Sequence, residues 1–171
     1  MIVESTSAVI GQDFFRSLVK HLALALNVRY AFVAECADGS KEKVKTLAFW
    51  HTDGFAPNLE YTTRDTPCRA VIGGKPCFFK EKIQELFPND PDLVELNAQS
   101  YLGVPIMNSR MKVIGHLALL HDKPLSEEAS RISVLRILAA RAGAEMERIF
   151  SEAELLKKDA KLQQSERRYR T

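Results

Sequence analysis

The sequence predicts an α+β domain: a central antiparallel sheet of five to six strands, with one amphipathic helix before it and one long helix after it. Three observations carry this. Apolar residues recur at three- and four-residue steps from Gln12 to Leu26. Between residues 30 and 121, short aromatic and β-branched runs alternate with turn chemistry. From Ser126 to Thr171 the chain has no proline and only Gly143 as a weak helix former. With 171 residues, 46% of them hydrophobic, the chain can bury one ordinary core but not two generous ones. One domain with an extension is therefore expected.

The first helix buries Phe14, Phe15, Leu18, Val19, Leu22 and Leu26, and Asn27 is placed to stop it. YAFVAEC (residues 30–36) and VKTLAFWH (44–51) flank the turn ADGSKEK and read as a hairpin. DGFAPN is a loop, and LEYTT a third, shorter strand. Asp65 or Thr66 can cap a helix whose first position is Pro67, where a missing N–H costs nothing, and Gly73-Gly74 ends it after about two turns. PCFF is a short extended piece. KIQELFPNDPDLVELNAQ holds two helical turns interrupted by Pro88 and Pro91. SYLGVPIM (100–107) and KVIGHLALLH (112–121) are joined by the tight turn NSRM, and their apolar density marks them as central strands. The last helix starts near Ser126, with Glu127 and Glu128 in its first turn.

That helix carries an apolar seam, Leu135, Ala139, Ala142, Met146, Ile149, Ala153, Leu156 and Ala160, with alternating steps of four and three. From Ile132 to Met146 the seam is expected to lie on the domain's own sheet, since a bare sheet face must be covered. Beyond Phe150 the chain is mostly charged, and a lone helix there would be marginal. Pairing along Ala153, Leu156 and Ala160 in a parallel homodimer would support it.

Charge says little about partners: 24 basic residues against 22 acidic ones give +2, which offers no general attraction to nucleic acid or an anionic membrane. The opening MIVESTSAVIGQDFF lacks a basic leader, and no apolar run approaches the ~18 residues of a membrane span. A soluble, cytoplasmic fragment that contacts neither nucleic acid nor membrane is expected. Three cysteines without framework spacing suit a reducing compartment.

TPCRAVIGGKPC, LFPNDPDLVELNAQSYLGVPI, VIGHLALLHDKPLSEE and LAARAGAEMERI together resemble the GAF domain of bacterial multidomain signalling proteins, from about Gly11 to Ile149. The ending AELLKKDAKLQQSERRYR is similar to the linker and first residues of a PAS domain. Such pairs stand upstream of a histidine kinase, a diguanylate cyclase or a transcription activator. The resemblance implies a lead-in over 1–10, a sensory domain over 11–149 and a coiled-coil linker over 150–171. It also implies terminal helices on one face of the sheet and, on the other, a ligand held against the small middle helices and loops between Asn58 and Ser100.

A pocket with walls of Trp50, Phe79 and Tyr101 and polar groups Thr66, Cys68 and His116 would suit an unknown small molecule, although aromatic residues also fill cores. No cofactor is expected. Bilin-binding relatives attach the chromophore through a cysteine usually followed by histidine, whereas Cys68 and Cys77 precede Arg69 and Phe78. The signature of cyclic-nucleotide-binding relatives is not traceable in order. His51, His116 and His121 share no metal-ligand spacing with a cysteine, so no metal is expected.

Cys68 falls in a helix's first turn, where free N–H groups and the macrodipole favour the thiolate. A GAF-fold family that reduces free methionine sulfoxide uses cysteines near such a start, although its Gly-Thr pair is replaced here by Arg69-Ala70. No other catalytic motif occurs, and no catalytic residue is assigned. Three functions remain open, in this order: a non-catalytic sensor that relays ligand binding through its terminal helix, a thiol-based redox sensor or enzyme using Cys68 and Cys77, and a ligand-free dimerisation and relay domain.

Overall fold

The computed structural model describes residues 11–37, 41–126 and 129–169. The expected lead-in, the centre of the first hairpin turn and the first-turn pair Glu127 and Glu128 lie outside the described residues. Helix α1 (Gln12–Leu26) leads into β1 (Tyr30–Cys36) and β2 (Lys43–His51). The edge pieces β3 (Gly54–Phe55) and β4 (Glu60–Thr62) follow. Helix α2 (Cys68–Ile72), strand β5 (Cys77–Phe79) and helices α3 (Ile83–Leu86) and α4 (Pro91–Glu95) form the middle region. Strands β6 (Ser100–Met107) and β7 (Val113–His121) then lead to α5 (Ala129–Tyr169).

All pairings are antiparallel, and the strand order is β3-β2-β1-β7-β6-β5, with β4 also on β2. The sheet has seven strands rather than five to six, because two residues of the Gly- and Pro-rich loop pair back onto Trp50 and His51 as β3. Asn27 stops α1 as expected: it takes the left-handed conformation at φ 54°, and its N–H bonds the Ala23 carbonyl.

The start of α2 differs from the expectation. Neither Asp65 nor Thr66 caps it; Pro67 stands immediately before the helix with no side-chain cap, and the Thr66 hydroxyl donates instead to the Thr63 carbonyl at 2.7 Å. Asp65 takes a left-handed φ of 61°, so a tight turn, rather than a cap, delivers the chain into α2. α4 has a side-chain cap: Asp90 accepts the Asp92 N–H at 3.1 Å and Pro91 occupies the first turn.

Two apolar layers sandwich the sheet. On one face α1 and α5 bury Phe15, Leu18, Leu22, Leu135, Leu138 and Ala142 against Val33, Leu102, Ile106 and Leu117. On the other, the middle segments bury Ile72, Ile83 and Leu93 against Tyr30, Phe32, Phe49, Tyr101 and Ala118. The helical side is closed tightly. Gly143 of α5 rides so near β6 that a Cβ there would collide with the Met107 carbonyl oxygen. At the same end Glu147 accepts the Ser109 N–H and hydroxyl, each at 2.9 Å, latching the β6–β7 turn to the helix. From Phe150 onward α5 leaves the domain, and every described residue to Tyr169 is exposed.

Candidate functional site

The middle-segment face is not filled. A cavity of about 340 Å³ lies between β1, β2, β6 and β7 on one side and the chain stretches 56–61, 67–68 and 90–96 on the other. Ligand pockets commonly span roughly 300–1,000 Å³, and this one is at the small end. Its sheet wall is aromatic: Phe32 and Phe49, on neighbouring strands, stack with centroids 5.6 Å apart and planes 8° from parallel. Tyr61, Cys68, Tyr101 and Leu120 continue the wall, and Asp90, Leu93 and Leu96 close it from α4.

Of the residues singled out in the sequence, Cys68 and Tyr101 line this space. Phe79 stands behind Tyr101, at 6.4 Å between centroids, and edge-on to Phe87 at 5.4 Å. His116 also stands behind the wall, its Nε2 3.4 Å from the Tyr61 hydroxyl and its ring edge-on to Phe32. Thr66 is spent in the turn before α2. Trp50 is elsewhere: it belongs to the opposite layer, edge-on to Phe55 at 5.1 Å, with the Lys20 ammonium 5.8 Å over its ring.

The cause of the Trp50 placement is a β-bulge. Val33 pairs with Ala48 but Ala34 pairs with Thr46, so Leu47 is an extra residue in β2. Strict alternation from Val44 and Thr46 would put Trp50 on the cavity face. The inserted residue reverses the parity, sending Phe49 to the cavity and Trp50 to the helices.

Within and behind this wall four side chains form a linear polar chain. The Tyr101 hydroxyl donates to Cys68 Sγ at 3.4 Å, Cys68 Sγ lies 3.4 Å from the Tyr61 hydroxyl, and Tyr61 reaches His116. A single direction of donation, Tyr101 to Cys68 to Tyr61 to His116 Nε2, uses each hydrogen once. It leaves the proton of His116 on Nδ1, which is buried without a partner. Burial pushes the Cys68 thiol up to about 11, the hydrogen bonds from the tyrosines opposing it only in part. Burial also holds His116 down to about 3 and raises both tyrosines well above their ordinary range. All four groups are neutral near pH 7. The pull toward thiolate that a helix start exerts is outweighed here: α2 has five residues, a weak dipole, and Cys68 is only 4% exposed.

Phe32, Phe49, Tyr61 and Asp90 were not among the expected site residues. Asp90 had a legible signal, since Asp followed by Pro is a helix start that fixes where its carboxylate sits. The aromatic pair had none, because its facing depends on the bulge. Among the described residues no group of three or more His, Cys, Asp or Glu is placed to hold a metal ion, and no described helix is long and apolar enough to cross a membrane.

The GAF domain family model matches residues 11–146. The GAF domain of the Acinetobacter phosphoenolpyruvate-protein phosphotransferase superposes with a TM-score of 0.71 at 18% identity, covering 90% of this chain and 92% of that one. The corresponding domain from Coxiella burnetii gives 0.74 at 15% identity, with coverage of 90% and 92%. The blue-light absorbing form of the Thermosynechococcus elongatus PixJ GAF domain gives 0.64 at 15% identity, with coverage of 92% and 94%. No curated protein sequence matches the chain.

Proposed function

The chain belongs to the GAF family, whose members are generally regulatory, and from this premise we propose that it is a sensory module of a signalling protein. It binds a small cytoplasmic molecule between the sheet and the middle helices and relays binding through α5 to an output domain. The observation that carries the reading is the cavity of about 340 Å³ lined by Phe32, Phe49, Tyr61 and Tyr101 on the sheet face away from α1 and α5. A filled, ligand-free relay domain would have packed that space.

The relay follows from the other face. α5 covers the sheet from Leu135 to Met146 and continues with the same seam, Ala153, Leu156 and Ala160, into exposed helix. Twenty exposed, mostly charged residues are a poor lone helix, and a parallel homodimer along this seam supplies the missing packing. A shift of β6 and β7 under the cavity moves the surface on which α5 rests, and through Gly143 and Glu147 it moves the helix itself. The buried, protonated Cys68 speaks against thiol chemistry as the function.

Native mass spectrometry of the purified protein, intact and after denaturation, tests the reading. A small-molecule mass carried by the folded protein and released on denaturation is expected. Its absence, together with a clear loss of stability when Leu120 is enlarged to Trp, as overpacking of an already filled space would give, would leave only the ligand-free relay.

A further inference from the structure

The polar groups around the cavity differ in how far they are already used. Thr46 Oγ1 bonds Asn58 Oδ1 at 3.2 Å and receives the Leu59 N–H at 2.8 Å, and Asn58 Nδ2 donates to the Leu47 carbonyl at 3.1 Å. The Tyr101 hydroxyl is spent on Cys68. What is left is the ring of His51, at the β2 end of the wall, and carboxylate. Asp90, Asp92 and Glu95 all line the space, and no lysine or arginine does.

Asp90 matters most, because it is 6% exposed and its side chain meets only backbone N–H groups of its own helix start, those of Asp92 at 3.1 Å and of Leu93. A carboxylate has about four acceptor positions, so about half of its capacity is unused. No salt bridge reaches any of the three acids among the described residues. Burial and the nearby Asp92 raise the Asp90 carboxyl, as expected for a charge without a counter-ion. Across from these acids are the rings of Phe32, Phe49, Tyr61 and Tyr101. Ring faces and an unpaired carboxylate attract the same kind of group.

We infer that the cavity takes a small organic cation, an ammonium group on a compact apolar body, with the ammonium toward Asp90, Asp92 and Glu95 and the body against the Phe32–Phe49 wall. This rests on the sensory-pocket reading above and narrows it. Anionic ligands, cyclic nucleotides and carboxylic acids among them, would meet three carboxyl groups and no lysine or arginine.

Three probes with one ring system and different charge test it by isothermal titration calorimetry: tryptamine, 3-methylindole and indole-3-acetate. Tryptamine is expected to bind at least about tenfold more tightly than either of the others. The preference should disappear in Asp90→Asn, which keeps a side chain able to cap α4 while removing the charge. Should that variant lose its helix signal in circular dichroism, the double change Asp92→Asn with Glu95→Gln, at exposed positions, decides in its place by reducing the same preference. Equal or tighter binding of the neutral or anionic probe, or an unchanged preference in the charge-removed variant, would overturn the cation inference and leave the pocket reading standing. If no probe of any charge binds and no mass is retained by the folded protein, the pocket reading falls with it.

Discussion

His116 has 0% exposure, and the three polar groups facing it or one bond further on, Tyr61, Cys68 and Tyr101, are neutral. Its folded pKa near 3 lies below the ordinary 6.5, so on acidification the unfolded chain takes up this proton first. The stability linked to the neutral ring is complete above about pH 6.5 and is lost as pH falls toward 3, roughly 2 kcal/mol of it by about pH 5. His121 acts in the same direction, and Asp90, whose carboxyl is raised, acts against it. Urea unfolding at a series of pH values should therefore show a steeper acid loss for the parent than for His116→Gln; parallel curves would show that the ring titrates normally. Cys68 yields a second expectation. With its thiol pushed to about 11 and buried, it should be alkylated by iodoacetamide in the folded protein well after the half-buried Cys36 and Cys77, as read by peptide mapping. Early modification of Cys68 would reopen the thiol readings.

At the scale of the element, α5 depends on having no side chain at Gly143. Helix propensity alone would make Gly143→Ala stabilising by about 1 kcal/mol. The Met107 carbonyl oxygen occupies the place of the new methyl group, and backbone cannot swing aside as a side-chain end can. The expected net effect is a destabilisation of ~1–3 kcal/mol, measurable as a lower urea midpoint at unchanged slope. A raised midpoint would mean that α5 is not held to β6 at this point. β2 carries a comparable single-residue decision. Leu47 inserts one residue into the ladder, and all of β2 after it faces the opposite way from what alternation predicts.

For the whole molecule the question is how an event in the cavity leaves the domain. The sheet separates cavity and α5, so it is the body through which the two layers communicate. The proposed output is the exposed seam, where Leu156 is 71% exposed and unsupported by the domain. Ile149 still packs against the core, so charge is better placed further out. Ala153→Glu with Leu156→Glu should convert a dimer to a monomer in sedimentation and lose helix signal from the tail, while thermal unfolding of 11–146 is unchanged. A double variant that stayed dimeric with full helix content would place the dimer contact on another surface, such as the outer side of α1, where Leu24 is 59% exposed.

The order and type of the major elements were legible because they depend on local rules. Period 3.6 marked α1 and α5, turn chemistry marked the hairpins, and Asn27 closed α1 through its own left-handed backbone. The GAF resemblance was legible too, as was the packing of the last helix on the sheet from Leu135 to Met146. Cys68 and Tyr101 could be named as cavity residues in advance, while Phe79 and His116 proved to stand one residue behind the wall. What tertiary structure alone decided was facing and protonation. Trp50 and Phe49 exchange sides because of one unpaired residue in β2, a matter of register between strands that no local pattern encodes. The Cys68 thiol, favoured as thiolate by its position at a helix start, is held neutral because desolvation by the surrounding layer outweighs a five-residue dipole. Both depend on distant parts of the chain being brought together, and that is decided only when the sheet and the middle segments pack.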